Sequence, residues 1–104
     1  MTYHVVIEPT AERGIREAVR WITRQSSSHA VATRWFHGLV RKFDTLKSSP
    51  KRCPIAAEND KFPEEIRELL YGKRNNKYRI IFTIRGNAVH VLHVHHGARD
   101  EPEP

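Results

Sequence analysis

Residues 78–95 carry two alternating runs separated by the dipeptide Gly86-Asn87, and such a pattern has few ways to fold. In 78–85, Tyr78, Ile80, Phe82 and Ile84 fall on one face while Arg79, Ile81, Thr83 and Arg85 fall on the other, the period of two expected of a strand. A two-residue Gly-Asn connection suits a tight antiparallel hairpin, so 88–95 returns beside 78–85. Residues 66–71 form a third strand after Pro63. A fourth comes from 3–8, where Val5, Val6 and Ile7 precede Pro9, whose missing N–H ends a ladder.

Between the first strand and the other three the period changes to that of a helix. Thr10 suits an N-cap and Glu12 the first turn of a helix dipole, after which Ile15, Ala18, Val19 and Ile22 recur at helical spacing to about Gln25. Ser26, Ser27 and Ser28 break this helix, and Ser28 caps a second one. There Ala32, Phe36, Leu39, Phe43 and Leu46 make one apolar stripe. Gly38 costs about 1 kcal/mol relative to alanine inside a helix, which implies close packing against the first helix. Ser48, Ser49 and Pro50 end the second helix. Residues 51–65, with Pro54, Asn59 and Pro63 and no period, read as a surface loop in which no chemistry is expected. The resulting fold class is α+β in the order β-α-α-β-β-β. An antiparallel two-helix hairpin packs on a small, mainly antiparallel sheet whose other face is open. Residues 1–100 are one domain, and 101–104 (Glu-Pro-Glu-Pro) are a short flexible acidic and proline tail.

Composition narrows the function classes. A chain of 104 residues supports one compact core, and 18 Lys plus Arg against 12 Asp plus Glu leave a net charge of +6, which points to a polyanion or an acidic protein partner. Cys53 is the only cysteine, which excludes an intramolecular disulfide framework and every zinc motif built on paired cysteines. No apolar run reaches the ~18 residues a membrane span requires, and the first eight residues lack the order of a signal peptide. A protein of the reducing cytoplasm with no membrane partner is expected.

The richest chemistry lies in the last strand and its exit, with His90, His93, His95, His96, Gly97 and Arg99. In extended geometry His93, His95 and Arg99 share a parity, while Leu92 and Val94 point to the helices. Arg79, Thr83 and Arg85 project to the same open side. Arginine with histidine suits phosphodiester chemistry, because a guanidinium stabilises a pentavalent oxyanion and an imidazole moves a proton near neutral pH. No metal or other cofactor is required, and no Cys, Asp or Glu adjoins His93 and His95 to complete a zinc site. The plainer reading is a set of polar residues on a solvated sheet face. A second basic set runs along the helices, Arg13, Arg16, Arg20 and Arg24 on the first and Arg34, His37 and Arg41 on the second. It is either a solvated face or a docking surface for an acidic partner. Trp21 and Trp35 border the buried stripes as core-edge residues, and Cys53 reads as an inert thiol.

The order of these elements, with Ile66-Arg-Glu-Leu-Leu-Tyr71, Lys77-Tyr-Arg-Ile-Ile-Phe82 and His93-Val-His-His-Gly-Ala-Arg-Asp100, resembles the RelE/ParE toxin superfamily of bacterial type II toxin–antitoxin systems. The resemblance covers nearly the whole chain. It implies a growth-inhibiting toxin of one of two kinds. RelE-like members are metal-independent, ribosome-dependent mRNA endoribonucleases, whereas ParE-like members poison DNA gyrase without catalysis of their own. Arg79 matches the arginine of the family's Tyr-Arg strand and Arg99 the arginine beyond the last strand's glycine, which in ribonuclease members hold the scissile phosphate. His95 or His93 matches the histidine that some members use as acid or base. Where RelE-like enzymes carry two lysines, this chain has Leu70 and Gly72. Lys73 and Arg74 stand just beyond and, with Arg85, are the expected nucleic-acid contacts; no tyrosine follows Arg99. The resemblance further implies a cognate antitoxin, encoded nearby, whose acidic or amphipathic segment blocks the site. Arg13, Arg20, Arg24, Arg34 and Arg41 are the expected partner-binding residues of the hairpin, with Arg13, Arg20 and Arg24 the contacts to gyrase in the alternative. The ribosome with its mRNA, or alternatively gyrase, is the implied target.

Overall fold

Pro9 divides the first strand from the first helix. Its ring lacks the N–H a strand needs, but a helix's first turn leaves that donor unpaired in any case. Strand β1 (His4–Ile7) therefore stops and α1 (Pro9–Ser26) starts within two residues. The N-cap is Glu8 and not Thr10, with extended backbone and no side-chain cap, because Pro9 already occupies the first turn. Ser27 reverses the chain in the left-handed conformation at φ 53°, and the Ser28 hydroxyl accepts from the Val31 N–H at 3.2 Å to open α2 (His29–Thr45). Beyond α2, Arg52 donates to the carbonyls of Thr45, Ser48 and Ser49 at 3.0–3.2 Å, occupying acceptors that a helix end leaves open. The computed structural model describes residues 2–74 and 76–97. Arg99 and the tail at 101–104 lie outside them.

Strands β2 (Arg67–Tyr71), β3 (Tyr78–Arg85) and β4 (Ala88–His96) pair antiparallel, and β1 joins β4 in parallel to give the order β1-β4-β3-β2. The α+β order read from the sequence is present, in a mixed four-stranded open sheet. The helices cover one face. Ala11, Ile15, Leu39, Phe43 and Leu46 pack there on Ile80, Phe82, Val89 and Val91. Gly14 lets α1 lie directly on β4, since a Cβ at that position would collide with the Val94 carbonyl. Two details of the hairpin differ from expectation. Gly38 makes room for Tyr71 of β2 rather than for α1, and the Tyr71 hydroxyl donates to the Trp35 carbonyl at 2.7 Å. Phe36 is 39% exposed. At 100° per residue it sits at one edge of the stripe, while Trp35 at the other edge packs against Tyr71 and Tyr78 at 5.7 and 4.9 Å.

The opposite sheet face is not open. Residues 50–65 include two short 3₁₀ turns, Pro50–Arg52 and Asn59–Lys61, and lie across it. Ala56 and Phe62 pack on Ile66, Ile81 and Leu92 as a second, smaller core. Backbone bonds strap the segment to β2: Ala56 N–H to the Ile66 carbonyl at 2.9 Å, and Glu68 N–H to the Pro54 carbonyl at 3.0 Å. The Asn59 side chain accepts from Ile66 N–H at 2.8 Å, and Arg67 donates to the Cys53 carbonyl at 2.7 Å. A segment held by strand-edge bonds and three or four scattered apolar side chains needs no period, so its burial left no repeating signal. Among the described residues, no helix is long and apolar enough to cross a membrane.

Candidate functional site

One irregularity in β4 decides where the histidines point. Ile81 pairs with His93 and Phe82 with Val91, so Leu92 is an extra residue, a bulge. Val89 and Val91 face the helices, and strict alternation from them would send His93 and His95 into the helical core as well. The bulge resets the parity. Leu92 joins the second core, Val94 returns to the first, and His93 and His95 turn to the strapped face. The expected grouping of His93 with His95 is present, whereas Leu92 faces away from the helices. The two imidazoles stack with ring centroids 4.9 Å apart and planes inclined by 25°, and Phe62 meets His93 edge-on at 6.0 Å. His96 faces the helices instead, against Tyr78 at 5.2 Å and Trp21 at 6.1 Å.

Arg79 lies directly across the ladder from His95. Its guanidinium is gripped by two carboxylates: NH1 and NH2 each donate to Glu58 at 2.6 Å, and Nε donates to Glu68. The side chains of Arg79 and Glu58 are both 15% exposed. The hydrogen bonds from Arg79 hold the Glu58 carboxyl below its ordinary range, and Glu58 in turn raises Arg79 further above its own. Two negative charges surround one positive charge, so the cluster carries a net charge of −1. Sequence reasoning missed both carboxylates. Glu68 shares the strapped face with Arg79 and was open to discovery from the strand register, whereas Glu58 sits in the aperiodic 51–65 segment and gave no signal.

Beside His93 and His95 opens a groove of about 670 Å³, bordered by the N-terminal end of α1 (Thr10, Arg13), by Phe62 and Glu64 of the strap, and by β4. Carboxylates at its edge are also engaged. Glu64 takes two hydrogen bonds from Arg85 at 2.6 and 2.7 Å, which hold its carboxyl low, and Glu8 lies 3.0 Å from His90 Nδ1 and 3.6 Å from Arg85. Among the described residues no cluster of three or more His, Cys, Asp and Glu side chains has the arrangement to hold a metal ion.

The remaining expected residues are dispersed. Lys73 and Arg74 are exposed in the turn after β2, at the opposite end of β3 from Arg85, roughly 20 Å away along the strand. Arg20, Arg24, Arg34 and Arg41 are exposed on the helical hairpin, away from the groove, but Arg13 borders it. Cys53 is buried, and burial pushes its thiol up against the opposing influence of Arg52, Arg67 and Lys42. The stacked histidines border an open groove, where an imidazole can exchange a proton with a bound group.

A family model described as the ParE toxin of type II toxin–antitoxin system, parDE, matches residues 5–101. No curated protein matches the chain.

Proposed function

Because the chain belongs to the ParE toxin family of type II toxin–antitoxin systems and therefore has a cognate antitoxin as partner, we propose that it arrests growth as a metal-independent, ribosome-dependent mRNA endoribonuclease. The observation that carries this reading is the stacked His93–His95 pair lining the groove, with Arg79 across the ladder from His95. In the reaction, the ribose 2′-oxygen attacks the adjacent phosphorus. An O2′–P bond forms and the P–O5′ bond breaks, leaving a 2′,3′-cyclic phosphate and a 5′-hydroxyl end. His95, as proton carrier, takes the proton from O2′ and the protonated imidazole returns one to O5′, with His93 stacked behind it. Arg99, by its match to the family pattern, stabilises the charge gathering on the phosphate. Arg79 has its donors filled by Glu58 and Glu68, so its part is to hold the strand opposite His95. Lys73 and Arg74, exposed beyond β2, contact the nucleic acid backbone.

Primer extension on mRNA held in purified 70S ribosomes with an empty A site tests the proposal, beside a sample without ribosomes. A new cut within the A-site codon only where ribosomes are present is the expected result, and His95→Ala removes it. Intact mRNA in both samples overturns the ribonuclease reading and directs the work to supercoiling by DNA gyrase.

A further inference from the structure

The helical arginine stripe does not behave as one surface. At 1.5 Å per residue, Arg20 and Arg24 lie about 10 and 16 Å further along α1 than Arg13, and neither borders the groove that Arg13 lines. The charges around that groove are mostly committed to one another. Glu64 is bidentate with Arg85, Glu8 lies between His90 and Arg85, and Arg79 is enclosed by Glu58 and Glu68. Arg13 is the exception. Its guanidinium makes a 3.3 Å hydrogen bond to the Thr10 hydroxyl and has no ion pair among the described residues. It is exposed, and it is the fifth residue of an 18-residue helix, one turn in from that helix's N-terminal end. A phosphate entering beside His93 and His95 would find Arg79 and Arg85 already neutralised by carboxylates and Arg13 still available.

We propose that Arg13 is the groove's anion ligand and holds an RNA phosphate next to the one at which His95 works. This inference rests on the ribonuclease reading of the same groove. Arg13 then leaves the partner-binding set of the hairpin and supplies the cation that Leu70 and Gly72, in place of a lysine pair, cannot. Binding through one guanidinium to one phosphate is independent of base identity and sensitive to salt.

The probe is a fluorescein-labelled single-stranded RNA with a 2′-O-methyl group on every ribose, which binds without being cut, titrated at several salt concentrations. Arg13→Ala is expected to weaken binding about tenfold, the weight of one charge-assisted contact. It should also lower the slope of log affinity against log salt by about 0.7, the increment for one phosphate contact on a single strand. Arg13→Lys keeps the slope because it keeps the charge. Arg20→Ala, on the same helix but outside the groove, changes affinity less than twofold. Wild-type affinity and slope in Arg13→Ala overturn the proposal, as does an equal loss in Arg20→Ala, which signals diffuse attraction by the whole helix. Loss of antitoxin affinity in Arg13→Ala with RNA binding intact overturns it too. Failure of the ribonuclease reading shows separately, as an RNA bound through Arg13 while ribosome-held mRNA stays intact.

Discussion

The two faces of the sheet are covered by different means. On one, α1 and α2 lay a continuous apolar surface over Ile80, Phe82, Val89 and Val91, and the largest buried side chains are hydrocarbon. On the other, a strap with only short 3₁₀ turns brings a three-residue buried nucleus (Ala56, Ile66, Ile81) and leaves the rest of the surface to Glu58, Glu68, Arg79, Thr83, His93 and His95. A hydrocarbon face tolerates rearrangement because its energy depends on area and volume. A charged face depends on every partner being present, since a buried polar group without its partner costs more than the pair contributes. Polar groups collect on the second face, held in fixed geometry by one another.

The sharpest contrast comes from deleting one residue on each face. Phe82→Ala removes a fully buried ring from the helical core and should cost about 3–5 kcal/mol, read from urea unfolding. Arg79→Ala takes less apolar volume but leaves Glu58 and Glu68 facing each other with no cation between them, and a loss on the order of 3 kcal/mol is expected. If Arg79→Ala unfolds at the wild-type denaturant concentration, the charged cluster contributes nothing to folding and the contrast fails. The same variant cannot serve alone as a test of catalysis, because lost toxicity would follow from lost stability.

Acid should then separate the faces. Glu58 has its folded pKa depressed below the ordinary 4.5 by the hydrogen bonds from Arg79. The unfolded chain binds that proton more readily, so the stability this group contributes is fully present above about pH 4.5 and drains away as pH falls through the lower folded value. Glu58→Gln should lose roughly 1–3 kcal/mol at pH 7. Near pH 3 its deficit should narrow, in thermal melts compared across that range; a deficit that stays constant with pH would show that the charge of Glu58 is immaterial.

The smallest effect concerns Cys53, which stands at the start of the strap, is 4% exposed and packs into the helical core. With burial raising its pKa, little thiolate forms near neutral pH, and labelling by a disulfide reagent should be slow in the native protein and fast in denaturant. Fast native labelling would mean that the start of the strap lifts readily off the helical core, and the first face would then be less tightly closed at that edge than its hydrocarbon packing implies.

How much of this was legible beforehand follows the same division. The helices, the Ser28 cap, the Gly86-Asn87 hairpin and the β-α-α-β-β-β element order follow from spacing, because periodic burial writes itself into the chain at 3.6 or 2 residues; the parallel place of β1 beside β4 does not. The candidate site was legible by residue type, in Arg79, His93 and His95, but not by partner. Glu58 approaches Arg79 across 21 residues from an aperiodic segment, and nothing in its neighbourhood announces the contact.

By itself, then, the sequence determined an α+β chain with a helical hairpin over a sheet, a net positive charge, and a histidine-rich last strand after a Tyr-Arg strand, since each of these is a matter of local order and count. Only the tertiary structure decided that the second face is covered and that Arg79 is closed in by carboxylates. It also decided that Arg13 parts company with the other helical arginines and that His93 and His95 face the groove. The physical reason for the last is a single extra residue. Strand parity is a local rule, but a bulge at Leu92 is permitted or forbidden by what the neighbouring strand and strap offer on either side, and that is known only once the chain has folded.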